Sequence, residues 1–333
     1  MSKFDINQES YKNFTDTITS EATLKVYTKS INHFLTKNNL TSYDMICKLS
    51  ETELMSKLKE YIRILKSTVS PNSIGLRLAG LSKFLIANQI HFDKEHLHSM
   101  FPKRVKPSNE LGYTLDEIQK ILVKANENTS KRNASIILVL ASSGVRKQVI
   151  CDLILRDLVP VDDSYLLKVY PQELEEYVTF VTPETTQKLN EYFEQRRKSG
   201  EQMNQDSHVF VTEMGGKLAQ ETITSLIDYI LKHVDLEIER NHLGIKNKAT
   251  IHGFRKFNNT AHELSGQKSS DVQKFVGHHS LTTLYYTPES IELYEIYKKS
   301  IPRLTISEEH RKGLEIAELK KKLQQQEENS TDF

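Results

Sequence analysis

The 333-residue chain has no tryptophan, only two cysteines, 12 glycines and 8 prolines, and almost no net charge. It also lacks any apolar run approaching the roughly 18 residues that a membrane helix needs, which excludes a helical membrane-spanning protein. Cys47 and Cys151 are too few and too far apart for a disulfide framework or a four-cysteine zinc site. Their apolar contexts predict two buried structural thiols in a reducing compartment. The opening Met1-Ser2-Lys3-Phe4-Asp5 has an acid and no apolar core, so no secretory signal is expected and the predicted location is cytoplasmic. With 45 Lys and Arg against 44 Asp and Glu, the formal charge is +1. On its face that argues against a nucleic-acid partner, because such binders show a basic footprint.

What is present is helical periodicity. Scarce glycine and proline, with apolar residues recurring every three and four positions, predict a mainly helical chain. Leu24, Tyr27, Ile31, Phe34 and Leu35 share one face of a helix opening near Ser20. Leu54, Leu58, Ile62 and Leu65 mark a second. A third starts at Ser70-Pro71, where serine can cap and proline fills the first helical position, and carries Ile74, Leu78, Leu81 and Leu85. Residues 1–100 therefore read as a small helical bundle.

The pattern breaks over residues 101–112, a basic, proline-bracketed linker containing Lys103, Arg104 and Lys106. A second domain, 113–303, begins with a capping box at Thr114 and Glu117. Its apolar run from Ala134 to Ser142 predicts a buried helix ended by Gly144. Tyr165–Tyr170 and Glu176–Val181 read as a β-hairpin, and Thr182-Pro183-Glu184 restarts a helix. Residues 304–333 alternate acid and base, and the short stripe Ile316, Leu319 and Leu323 predicts an amphipathic helix docking on a partner, the alternative being a frayed tail. Charge is not spread evenly: residues 1–108 carry a net +6, residues 109–303 a net −3 and residues 304–333 a net −2. The basic excess lies in the bundle and linker, where it can serve a polyanion.

Three segments of the second domain hold groups suited to a phosphate. They are Ser142-Ser143-Gly144-Val145-Arg146, Ile251-His252-Gly253-Phe254-Arg255-Lys256, and Phe275-Val276-Gly277-His278-His279-Ser280, the last followed by Tyr285-Tyr286-Thr287-Pro288. Taken singly each is ordinary. An arginine after a helix-ending glycine is commonly a surface residue, and His252 with Arg255 could be one helix face. Adjacent His278 and His279 cannot readily bind one zinc ion. Gly215-Gly216-Lys217 lacks the upstream glycine and following hydroxyl of a P-loop and reads as a turn.

In order and spacing these boxes resemble the tyrosine recombinases of the phage-integrase family. That family shows Gly-x-Arg, His-x-x-Arg and Gly-His boxes and then a nucleophilic tyrosine. Cys151-Asp152-Leu153, Arg156-Asp157-Leu158 and the Ile301-Pro302-Arg303 ending are similar to its archaeal-type branch. The resemblance implies a SAM-like helical core-binding domain joined to an α+β catalytic domain with a small antiparallel sheet. It further implies site-specific cleavage and rejoining of double-stranded DNA by a homotetramer through a 3′-phosphotyrosine. Arg146 and Arg255 would hold the phosphate, since a guanidinium fork grips two oxygens and stays charged. His252 would serve as base or proton shuttle, His278 as a donor, and Tyr286 as nucleophile, with Tyr285 the alternative. Lys256 joins Lys103, Arg104 and Lys106 as a DNA contact. No metal, ATP or other cofactor is needed.

One departure stands out. The family's hairpin lysine, the general acid, has no counterpart in the tip Pro171-Gln172-Glu173-Leu174-Glu175, and Lys168 on the preceding strand is the nearest substitute. Two other readings fit the same residues: a recombinase-fold protein that binds DNA without turnover, and an enzyme resembling type IB topoisomerases.

Overall fold

The computed structural model describes residues 4–105, 111–127, 131–236, 250–277 and 290–331. The chain divides into two compact units, 1–107 and 108–333.

The first unit holds helices α1 (Glu9–Thr15), α2 (Glu21–Lys37), α3 (Tyr43–Cys47), α4 (Glu51–Thr68), α5 (Pro71–Ala87) and α6 (Lys94–Ser99). The apolar positions at three- and four-residue spacing turn inward, so that Ile31, Phe34, Leu54, Ile62, Ile74 and Phe84 form one sealed core. Ser50 and Glu53 close a capping box on α4. Two expectations change here. Ser70 precedes Pro71 as expected but caps nothing, because its hydroxyl pairs with that of Ser73 at 2.8 Å. Cys47 is exposed, unlike buried Cys151; α3 is a single turn in which Tyr43 and Ile46 take the inward positions.

The second unit begins with α7 (Leu115–Asn126), closed by the Thr114–Glu117 capping box, and α8 (Arg132–Ser143). Nearly every residue of α8 is buried, and α7, α10 and α12 pack around it. After α9 (Lys147–Asp152) come strands β1 (Leu158–Val161), β2 (Ser164–Val169) and β3 (Tyr177–Phe180), an antiparallel meander in the order β1-β2-β3. The expected hairpin is β2 and β3. Strand β1 was hidden in the sequence by its brevity and by Pro160, which an edge strand tolerates. Helices α10 (Pro183–Lys198), α11 (Gln220–Lys232), α12 (His252–Leu264), α13 (Ser269–Phe275), α14 (Ser290–Lys298), α15 (Ile301–Leu304) and α16 (Glu308–Thr331) complete the unit. The Gly215 segment is a turn, bridged by Val211 and Lys217. On α16 the stripe Ile316, Leu319 and Leu323 faces solvent. The fold is thus mainly helical with one small antiparallel sheet. No helix among the described residues is long and apolar enough to cross a membrane.

Candidate active site

The site is built around the C-terminal end of α8. A helix leaves its last carbonyls without partners inside the helix, and here the end is buried, so water cannot supply them. Side chains do. Asn258 of α12 donates Nδ2 to the carbonyls of Ala141 (3.2 Å) and Ser142 (2.7 Å). The Tyr297 hydroxyl of α14 donates to Ser142 at 2.9 Å, and Thr179 of β3 donates to Ser143 at 3.2 Å. Arg255 of α12 donates Nη1 to the carbonyl of Gly144 at 2.8 Å. Gly144 itself is left-handed, at φ +63°, the conformation that glycine adopts without penalty. The chain turns there and delivers Arg146, exposed, to the start of α9.

Arg255 reaches further. Its Nη2 donates to the carbonyl of Val276, immediately before Gly277. One guanidinium, 6% exposed, therefore ties the Gly144 turn to the Gly277 turn. Burial lowers its pKa and the charge of Arg146 lowers it further, which places the two arginines in one electrostatic field; a guanidinium stays protonated under such pressure. His252 sits one helical turn before Arg255. Desolvation, then Arg255, Lys256 and Arg146, hold its pKa below the usual histidine value. A ring so placed is neutral at pH 7 and able to accept a proton.

The structure brings Arg146, His252, Arg255 and Lys256 together. It does not bring Lys168 to them. In the β2–β3 register Lys168 opposes Val178 and is exposed, whereas Val169 opposes Tyr177. Successive residues alternate faces, so Lys168 lies on the side of the sheet away from Tyr177, the residue on which both arginines act. Lys103 and Arg104 are exposed in the first unit. Lys106, His278, Tyr285 and Tyr286 lie outside the described residues. Among the described residues, no three His, Cys, Asp or Glu side chains form a metal-binding group.

Sequence reasoning missed the residues that hold these groups in place. Asn258 stands three residues beyond Arg255, on the same face of α12, and that spacing was the one available signal. Next on this face, His262 is fully buried. It pairs Nδ1 with Ser300 Oγ at 2.9 Å and stacks on Phe275. Desolvation depresses its pKa to about 4. The unfolded chain binds that proton near pH 6.5 and the folded one does not, so stability is full above pH 6.5 and falls as pH drops towards 4. The expected loss is about 3 kcal/mol. Urea unfolding of wild type and His262→Gln across this range measures it. A variant that loses as much stability as wild type would show that the drop arises elsewhere.

Residues 113–290 match the phage integrase family. Tyrosine recombinase XerC of Leptospira interrogans is 28% identical over 208 residues, covering 61% of this chain and 62% of its own length. Tyrosine recombinase XerD of Oceanobacillus iheyensis is 24% identical over 291 residues, 85% of this chain and 93% of that protein. The chain thus spans less than two thirds of the XerC relative. Among solved structures, a lambda integrase tetramer bound to a Holliday junction superposes with a TM-score of 0.58 at 14% identity, over 85% of this chain and 78% of that one. The Tn1549 transposon integrase in complex with circular intermediate DNA gives 0.57 at 15% identity, over 87% and 97%. These likenesses establish the fold.

Proposed function

Because this chain belongs to the phage integrase family, with more than half of its length inside the match, we propose that it is a site-specific DNA recombinase. It cleaves and rejoins duplex DNA through a 3′-phosphotyrosine. The observation that carries the reading is the Arg255 bridge between the carbonyls of Gly144 and Val276. It draws three separate sequence boxes onto one point.

The Tyr286 hydroxyl oxygen attacks the scissile phosphorus while His252 takes its proton, and the bond to the 5′ oxygen breaks, that oxygen taking up a proton from water to leave as a 5′ hydroxyl. Arg146 and Arg255 neutralise the non-bridging oxygens, where charge accumulates, and His278 donates to the same phosphate. The 5′ hydroxyl of a second strand then reverses the step. Bond energy is conserved, and no metal or nucleotide is consumed. Lys103, Arg104, Lys106 and Lys256, with the basic first unit, supply sequence-independent phosphate contacts. A homotetramer on two duplexes and membership of the archaeal-type branch belong to the same proposal. The branch assignment is supported by Cys151-Asp152-Leu153 and Arg156-Asp157-Leu158. The enzyme would act in the cytoplasm, on DNA.

A second reading, a DNA-binding protein without turnover, is favoured by one observation: the hairpin tip has no lysine and Lys168 faces away from the arginines. A pool of nicked duplexes with randomised sequence decides between them, since the nick lets the short cleaved strand diffuse away and traps the covalent complex. Wild type is expected to capture a subset of the pool as a species stable to denaturant, and Tyr286→Phe none. Binding without capture would establish the second reading. Capture by Tyr286→Phe would move the nucleophile to Tyr285.

A further inference from the structure

Strand β3 carries a tyrosine that none of the sequence boxes includes. Tyr177 is 7% exposed. Its hydroxyl is sealed from solvent and makes no hydrogen bond of good geometry among the described residues. Such a group costs stability, so its presence asks for a reason.

Its surroundings supply one. The ring lies so close to Gly277 that a Cβ there would come within 2.5 Å of two ring carbons, and it meets the Tyr170 ring edge-on at 6.5 Å. The hydroxyl faces Arg255. Burial raises its pKa, while Arg255 and then Arg146 draw it back. The ring therefore supports the turn at Gly277, and the hydroxyl presents an uncharged acceptor to the guanidinium that holds the carbonyls of Gly144 and Val276. The lack of charge matters. A carboxylate in this place would neutralise Arg255, whereas a phenol oxygen can accept one of its five N–H groups and leave the full charge for a phosphate.

We propose that Tyr177 is a positioning residue for strand cleavage: its hydroxyl oxygen accepts an N–H of Arg255 when DNA is bound, fixing the rotation of the guanidinium that faces the scissile phosphate. The proposal rests on the recombinase reading above. Tyr177→Phe keeps the ring against Gly277 and removes only the oxygen. On a nicked duplex recovered with wild type, the single-turnover rate of covalent complex formation is expected to fall about 10- to 100-fold, the worth of one hydrogen bond to a charged group. Equilibrium DNA affinity stays at the wild-type value, and the thermal midpoint does not fall, because the oxygen removed is a buried one without a well-aligned partner. In an Arg255→Lys background the same change has no further effect, because the planar fork it orients is gone.

A duplex with sulfur in place of the 5′-bridging oxygen tests the other role that a phenol could play. A thiolate departs without being protonated, so an orienting residue leaves the deficit in place. Recovery of the rate on that substrate would overturn the proposal and make Tyr177 the proton donor. If wild type reacts and Tyr177→Phe matches it, the proposal alone falls. If wild type forms no covalent complex on any duplex, the recombinase reading falls and takes this one with it.

Discussion

Arg255→Ala is expected to abolish covalent complex formation, by about a thousandfold or more, and to destabilise the second unit as well. On the recombinase reading, the first effect follows from the loss of a charged donor at developing phosphate charge, where removing even a neutral donor costs about 10²- to 10³-fold. The second follows from the two carbonyls that Arg255 serves, those of Gly144 and Val276. Each buried acceptor left unpaired costs about 1–3 kcal/mol, so the loss for two is roughly 2–6 kcal/mol. Arg255→Lys separates the two effects. It retains the charge, but one ammonium cannot span both carbonyls, so it restores part of the rate and little of the stability. Capture kinetics and urea midpoints measure both. An alanine variant as stable as wild type would mean that the bridge contributes nothing to holding the turns.

Gly277→Ala is expected to cost about 2–5 kcal/mol and to remove activity with it. Two penalties coincide. At φ +64° an L side chain is strained, worth about 1–2 kcal/mol, and the new methyl meets the Tyr177 ring at 2.5 Å, an overpacking worth about 1–3 kcal/mol. Gly266 provides the control. It has φ +76° but nothing within 4 Å of its would-be Cβ, so Gly266→Ala pays the backbone strain alone. The difference between the two unfolding free energies is the packing of Tyr177 beneath the Gly-His box. Equal losses would show that the ring does not press on that turn.

The sequence made the helices legible because their information is local. A face such as Ile74, Leu78, Leu81 and Leu85, or a cap such as Thr114 with Glu117, is complete within a few residues. The Gly-x-Arg and His-x-x-Arg boxes were legible for the same reason. What brings them together was not. Asn258, Thr179 and Tyr297 reach α8 across separations of 116, 36 and 155 residues, and nothing near Ser142 in sequence announces them. The placement of Lys168 was not legible for a related cause: its face depends on a strand register that pairs it with Val178. Strand β1 and the exposure of Cys47 were lost to brevity, since four or five residues carry too little periodicity to fix a side.

The way α8 ends has a consequence for how the protein comes into being. A chain emerging from the ribosome can coil α8 as soon as residue 143 is free, but the partner of its last carbonyls from α14 is made more than 150 residues later. Closing so long a loop is slow compared with forming a helix. Until Tyr297 has been synthesised and docked, the turn that presents Arg146 lacks part of its support. The turn that presents Arg146 is therefore fully supported only once α14 has been made.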